Sequence, residues 1–160
     1  MPERQGKRHA TAVIAITTIL TLALGTALAP SATALGYRGK LLKMINNARE
    51  RHDLRELKID RSFSRDAMRH TRRMVKRDRV FDPRNLDTFL SDEPWEELGA
   101  SVSGCADSLR GVHRAWMQHA AQRVIMLEPK LRRIGIGVIE NRAENICGKG
   151  SFWATELFYG

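Results

Sequence analysis

The chain has 160 residues, 42% of them apolar and 28% charged, the balance of one globular domain large enough for its own core. Its formal charge is +9, a sign that favours anionic partners such as phospholipid headgroups, acidic envelope polymers or nucleic acid. No zinc-finger spacing and no basic run interleaved with aromatics is present, so nucleic acid is set aside as a partner.

In chain order, the first expected element is an export signal. Arg4, Lys7 and Arg8 precede Ala10 to Leu28, a stretch without charge and rich in Ala, Ile, Leu and Thr. Ala32-Thr33-Ala34 is the better small-x-small cleavage site, because Ala27-Leu28-Ala29 runs into Pro30. The chain then divides into a signal peptide over 1–34 and a domain over 35–160. The rival reading is an uncleaved anchor, since the apolar stretch is about long enough to span a bilayer. Either way the domain lies outside the cytoplasm, secreted or in the cell envelope, and membrane contact is expected only through an uncleaved N-terminal segment. The two cysteines, Cys105 and Cys147, both fall in the exported part. One disulfide is the expectation there, with two buried free thiols as the alternative.

Leu35 to Gly39 reads as a short lead-in with two glycines. Lys40 to Asp53 has apolar residues at Leu41, Met44, Ile45 and Ala48, the spacing of an amphipathic helix. Leu54, Leu57 and Ile59 form an extended link. Asp60 or Ser62 can cap a second helix running to about Arg79, with Phe63, Ala67, His70 and Met74 on its buried stripe. Pro83 stops it, because the residue before a proline disfavours helix. Arg84 to Pro94 reads as a polar loop and Trp95 to Gly99 as short and extended. A third helix is expected over Ala106 to Ala121, capped by Asp107 or Ser108 and burying Leu109, Val112 and Trp116. Trp116 to Pro129 reads as a helix end, a turn and an extended lead-in. Arg133 to Glu140 alternates as a strand, and Ser151 to Tyr159 pairs with it as a hairpin around a polar turn. Helices first and strands last indicate an α+β layered domain.

Several of these segments resemble, in order, the CAP superfamily of cysteine-rich secretory proteins, antigen 5 and pathogenesis-related proteins, and above all its bacterial secreted branch. LLKMINNAR, with Asn46 and Arg49, is similar to that family's opening helix. Ala67, His70 and Met74 followed by Phe81 resemble its second helix. Glu96-Glu97-Leu98-Gly99 resembles its Glu-Asn-Ile segment. Trp116-Met117, Arg123, Leu127 and Pro129 resemble the motif WMxSPxHRxxILxP. IGIGV from Ile134 and the run from Phe152 to Gly160 resemble its closing strands. The resemblance implies a three-layer α-β-α sandwich with a central antiparallel sheet.

It also implies a cleft lined by two histidines and acidic residues, which in several members holds a divalent metal. In this chain Asp82 and Gln122 stand where the two imidazoles belong, Glu96 keeps one carboxylate, and His119 lies one helical turn before Gln122. Gln is a poor zinc ligand, and the general base of a His-assisted hydrolysis is lost. No cofactor is expected beyond a weakly held divalent cation, Ca²⁺, Mg²⁺ or Zn²⁺. The favoured expectation is a non-enzymatic exported CAP domain that binds a lipid or an anionic envelope component. The alternatives are a metal-dependent hydrolase or peptidase with a rearranged site using His119, Glu96 and Asp82, and a structural, partner-binding envelope protein. His113 and His119 read as partly exposed helical side chains and His70 as a hydrogen-bonded core histidine. Ala143-Glu144-Asn145-Ile146 mimics the Glu-Asn-Ile motif but falls in the hairpin turn, in the wrong order for the site.

Overall fold

The computed structural model describes residues 32–83 and 99–160. Residues 1–31 of the expected 1–34 export signal, the loop from Arg84, Trp95 and Glu96 lie outside the described residues. The elements in order are α1 (Ala32–Glu50), β1 (Lys58–Ile59), α2 (Arg61–Arg77), β2 (Gly99–Ala106), α3 (Leu109–Gln118), α4 (Ala120–Met126), β3 (Arg133–Asn141) and β4 (Ser151–Tyr159). No helix among the described residues is long and apolar enough to cross a membrane.

The sheet has the order β1-β3-β4-β2. Three strands are antiparallel, with Ile136 and Val102 flanking Glu156 on its two sides. These long strands are the expected central antiparallel sheet, and the two-residue β1 adds a parallel pairing at the edge of β3. Beyond that pairing, side chains close the edge of β3. The Ile136 N–H donates to Ser64 Oγ at 3.2 Å, and Arg38 Nε donates to the Ile136 carbonyl at 2.9 Å.

Helices cover both faces of the sheet. On one face Leu41, Ile45, Val112, Trp116 and Met126 pack against Val102, Ile134, Ile136, Val138, Ala154 and Phe158 in the main core. On the other face α2 lays Phe63 and Ala67 against Leu157 and Tyr159. This is the three-layer α-β-α sandwich, with alternate strand residues assigned to opposite helical layers.

α2 starts where Asp60 Oδ1 accepts the Phe63 N–H at 3.1 Å, and it ends at Asp78 in the left-handed region. His70 is buried on it and donates from Nε2 to the Phe81 carbonyl at 2.7 Å, tying the helix to its exit. Burial lowers the pKa of His70, against the Phe81 carbonyl and Asp82, which raise it. The disulfide joins Cys105, near the end of β2, to Cys147 in the hairpin turn, across a sequence separation of 42. A loop of that size stabilises by roughly 3–4 kcal/mol through the entropy of the unfolded chain.

Three sequence expectations need correction. The first helix begins at Ala32 rather than Lys40 and stops at Glu50 rather than Asp53. Its early turns are held by tertiary contacts that outweigh Gly36 and Gly39: Tyr37 Oη donates to Glu140 Oε2 at 2.8 Å and its ring meets Phe152 edge-on at 5.1 Å. Asp53, at φ 55°, belongs to the turn that ends it. The third helix is shorter than Ala106 to Ala121, because Gly99 to Ala106 is a full strand and His119 breaks the helix. Trp116 to Pro129 is then not an extended lead-in. It continues as a second short helix.

Candidate functional site

The signature stretch is a kinked pair of helices. Ser108 caps α3 by accepting the Gly111 N–H at 2.9 Å. At the kink His119 is extended, at φ −82° and ψ 117°, and caps α4 with its backbone alone. Its carbonyl accepts the Arg123 N–H at 2.9 Å. Trp116 anchors the pair: its ring is buried and Nε1 donates to the Ser103 carbonyl at 3.2 Å. Gly104 makes room for that ring, since a Cβ there would lie 2.8 Å from Nε1.

The far end of the stretch is held from α1. Arg49 is fully buried, and its Nη1 donates to the carbonyls of Met126 at 2.9 Å and Glu128 at 3.0 Å. Its Nε donates to the Arg55 carbonyl at 2.9 Å, while Nη2 has no partner among the described residues. Burial, with Arg132 nearby, lowers the pKa of this guanidinium. Asn46 does similar work one turn earlier, exchanging hydrogen bonds with both the N–H and the carbonyl of Leu57. The two opening-helix residues singled out in the sequence therefore position backbone. Arg49→Lys keeps the charge but loses the fork, and it should lower stability by about 2 kcal/mol in urea unfolding. An unchanged midpoint would show that the clamp is idle.

The candidate site residues lie in different parts of this frame. Asp82 follows α2, is exposed, and acts electrostatically on His70. Gln122 is half-buried on α4, and His119 is exposed at its start. No hydrogen bond or ion pair joins Asp82 to His119 or Gln122 among the described residues. Nor do three His, Cys, Asp or Glu side chains converge anywhere among them in a metal-binding group. An open depression of about 280 Å³ beside the stretch is lined by Arg123, Val124, Leu127, Glu128 and Pro129. It offers one cation and one carboxylate over an apolar floor, without an imidazole.

His113 is also outside any such site. Its Nδ1 is buried without a partner among the described residues, and burial together with the charge of Arg51 lowers its pKa. Asn145 of the motif-like Ala143–Ile146 segment organises the hairpin turn. It donates to the Gly148 carbonyl at 2.8 Å and accepts from the Cys147 N–H and the Ser151 hydroxyl, each at 2.9 Å.

The residue that sequence reasoning missed is Glu156. It is fully buried in the middle of β4, both carboxyl oxygens lack partners among the described residues, and burial pushes its pKa up to about 8. Its alternation with Ala154 and Phe158 turns it toward the α1, α3 and α4 layer.

A family model described as the cysteine-rich secretory protein family, CAP, matches residues 42–156. A curated relative, the "Uncharacterized protein YkwD" of Bacillus subtilis (strain 168), is 26% identical over 142 residues. That alignment takes in 84% of this chain and 51% of the relative, so the chain spans about half the length of that protein. Among solved structures, an outer surface protein of Borrelia burgdorferi superposes with a TM-score of 0.64 at 14% identity, over 78% of this chain and 92% of that one. An extracellular protein of Bacillus anthracis str. Ames that contains an SCP domain gives a TM-score of 0.63 at 16% identity, over 79% of this chain and 41% of that one. At these identities the two structures speak to the fold.

Proposed function

The chain belongs to the cysteine-rich secretory protein (CAP) family, and on that premise we propose that it is a non-catalytic domain that works outside the cytoplasm by binding an envelope component. The observation that carries this reading is the chemistry of the signature helix pair. Its scaffold parts, Trp116, Arg123, Leu127 and Pro129, are in place, while Gln122 occupies the position of the expected imidazole. An amide neither accepts a proton from water at neutral pH nor ligates zinc well, so the inherited acid–base step has no base there. Asp82, exposed behind α2, supplies no imidazole either. Extracytoplasmic placement is supported by the uncharged stretch from Ala10 to Leu28 and by the Cys105–Cys147 disulfide.

Native mass spectrometry of the protein recovered from an exporting bacterial host tests this reading. The expected species is a disulfide-bonded chain that begins after the signal and carries a lipid or an anionic envelope fragment. A chain retained in the cytoplasm with both thiols free would contradict it.

A further inference from the structure

The excess charge of the molecule is concentrated on one helix. Residues 61–79 hold eight arginines and lysines against two aspartates, an excess of six out of the chain's nine. The first 34 residues contribute two more, three cations against Glu3, which leaves a net of one for everything else. Within α2 the buried residues are Phe63, Ser64, Ala67, His70, Thr71 and Met74. Arg61, Arg65, Arg72 and Lys76 are exposed and fall on the opposite side, with Arg79 continuing the line past the helix end. Arg69 lies in the same strip and is paired with Asp66. At about 1.5 Å of rise per residue the strip is roughly 22 Å long, with a cation every ~4.5–6 Å.

We infer that this strip is a docking surface for a linear phosphodiester polymer of the extracytoplasmic envelope. The inference rests on the extracytoplasmic reading above and names the partner class. Charge complementarity supports it: evenly spaced monovalent phosphates along an extended chain match a straight row of cations, and each contact releases counterions. A row of five arginines and lysines facing solvent is costly through mutual repulsion unless a polyanion relieves it. A bilayer fits less well. Of the exposed large apolar residues among the described residues, Val80 and Ile146 sit at the far end of the strip, beside Arg79 and Asp78, and none lies between Arg61 and Lys76 to insert among headgroups.

The test uses the disulfide-bonded protein and a synthetic oligo(glycerol phosphate) of about ten units, with affinity measured by fluorescence anisotropy against salt. The logarithm of the binding constant should fall with the logarithm of salt with a slope of about −3 to −4, as about five phosphate contacts would give. The exposed triple variant Arg65→Gln/Arg72→Gln/Lys76→Gln should melt no lower than the wild type, lose at least ~30-fold in affinity at low salt and cut the slope by about 2. A control that removes the same charge elsewhere, Arg55→Gln/Arg110→Gln/Arg114→Gln, should lose less than about threefold, since those side chains lie off the strip. Equal losses in the two triples would overturn the inference, because net charge alone would then explain binding. So would no binding of the oligomer at low salt, or equally tight strip-dependent binding to phosphatidylglycerol vesicles. None of these outcomes bears on the reading of the cleft, which metal binding or turnover would contradict.

Discussion

Glu156→Gln should raise the stability of the protein, and by more as the pH rises. In the unfolded chain this carboxyl loses its proton near its ordinary value of 4.5, whereas in the folded chain it holds the proton to about 8. Between those values only the folded state carries the proton, so stability falls as pH rises from about 4.5 to 8 and is level above. The full span corresponds to roughly 5 kcal/mol, with ~3 kcal/mol of it already lost at neutral pH. Burial alone is the cause, since among the described residues neither oxygen finds a donor between Val102 and Ile136. The isosteric amide does not ionise and removes this dependence. Thermal melts should show little difference between variant and wild type at pH 5 and a gain of roughly 10 °C at pH 8. Parallel melting profiles across that range would mean that the carboxylate is ionised and paired in solution.

Gly137→Ala should cost about 4 kcal/mol, above the usual range for overpacking. A Cβ at Gly137 would collide with backbone atoms of Ala67 and Met68, and one at Gly135 with the backbone of Phe63. A flexible side chain could turn aside, but helix backbone cannot. The two glycines are the landing strip on which α2 meets β3, and Thr71 Oγ1 reaches across it to Thr155 Oγ1 at 3.0 Å. The alanine variant should therefore move α2 away from the sheet, lowering the urea midpoint and losing amide protection along α2 before other elements. Wild-type protection in α2 would show that the helix rides higher than this geometry places it.

The parts of the fold that were legible in the sequence are those with strong alternation or spacing. β3 and β4 are close to their expected ends, and Asp60 and Ser108 cap the helices they were expected to cap. β2 was not legible because GASVSGCA has small residues and one large apolar one, Val102, so its pairing with β4 supplies what its side chains do not. The early turns of α1 depend on Tyr37 and Arg38 meeting β3 and its flank, which no local pattern reveals. Of the candidate site, the scaffold residues were legible and their geometry was not. Glu156 escaped notice because a polar residue in an alternating strand ordinarily faces water. Here helices cover both faces of the sheet, so neither alternation is solvated.

Central to the proposed function is the placement of Gln122 where the CAP signature would carry an imidazole. Calorimetric titration of the purified, disulfide-bonded protein with Zn²⁺ at neutral pH tests this most directly. No saturable heat should appear below about millimolar metal, as expected for scattered oxygen ligands without an imidazole pair. A one-to-one binding curve with micromolar affinity, abolished by Glu96→Ala or His119→Ala, would contradict the account and restore a metal centre to the cleft.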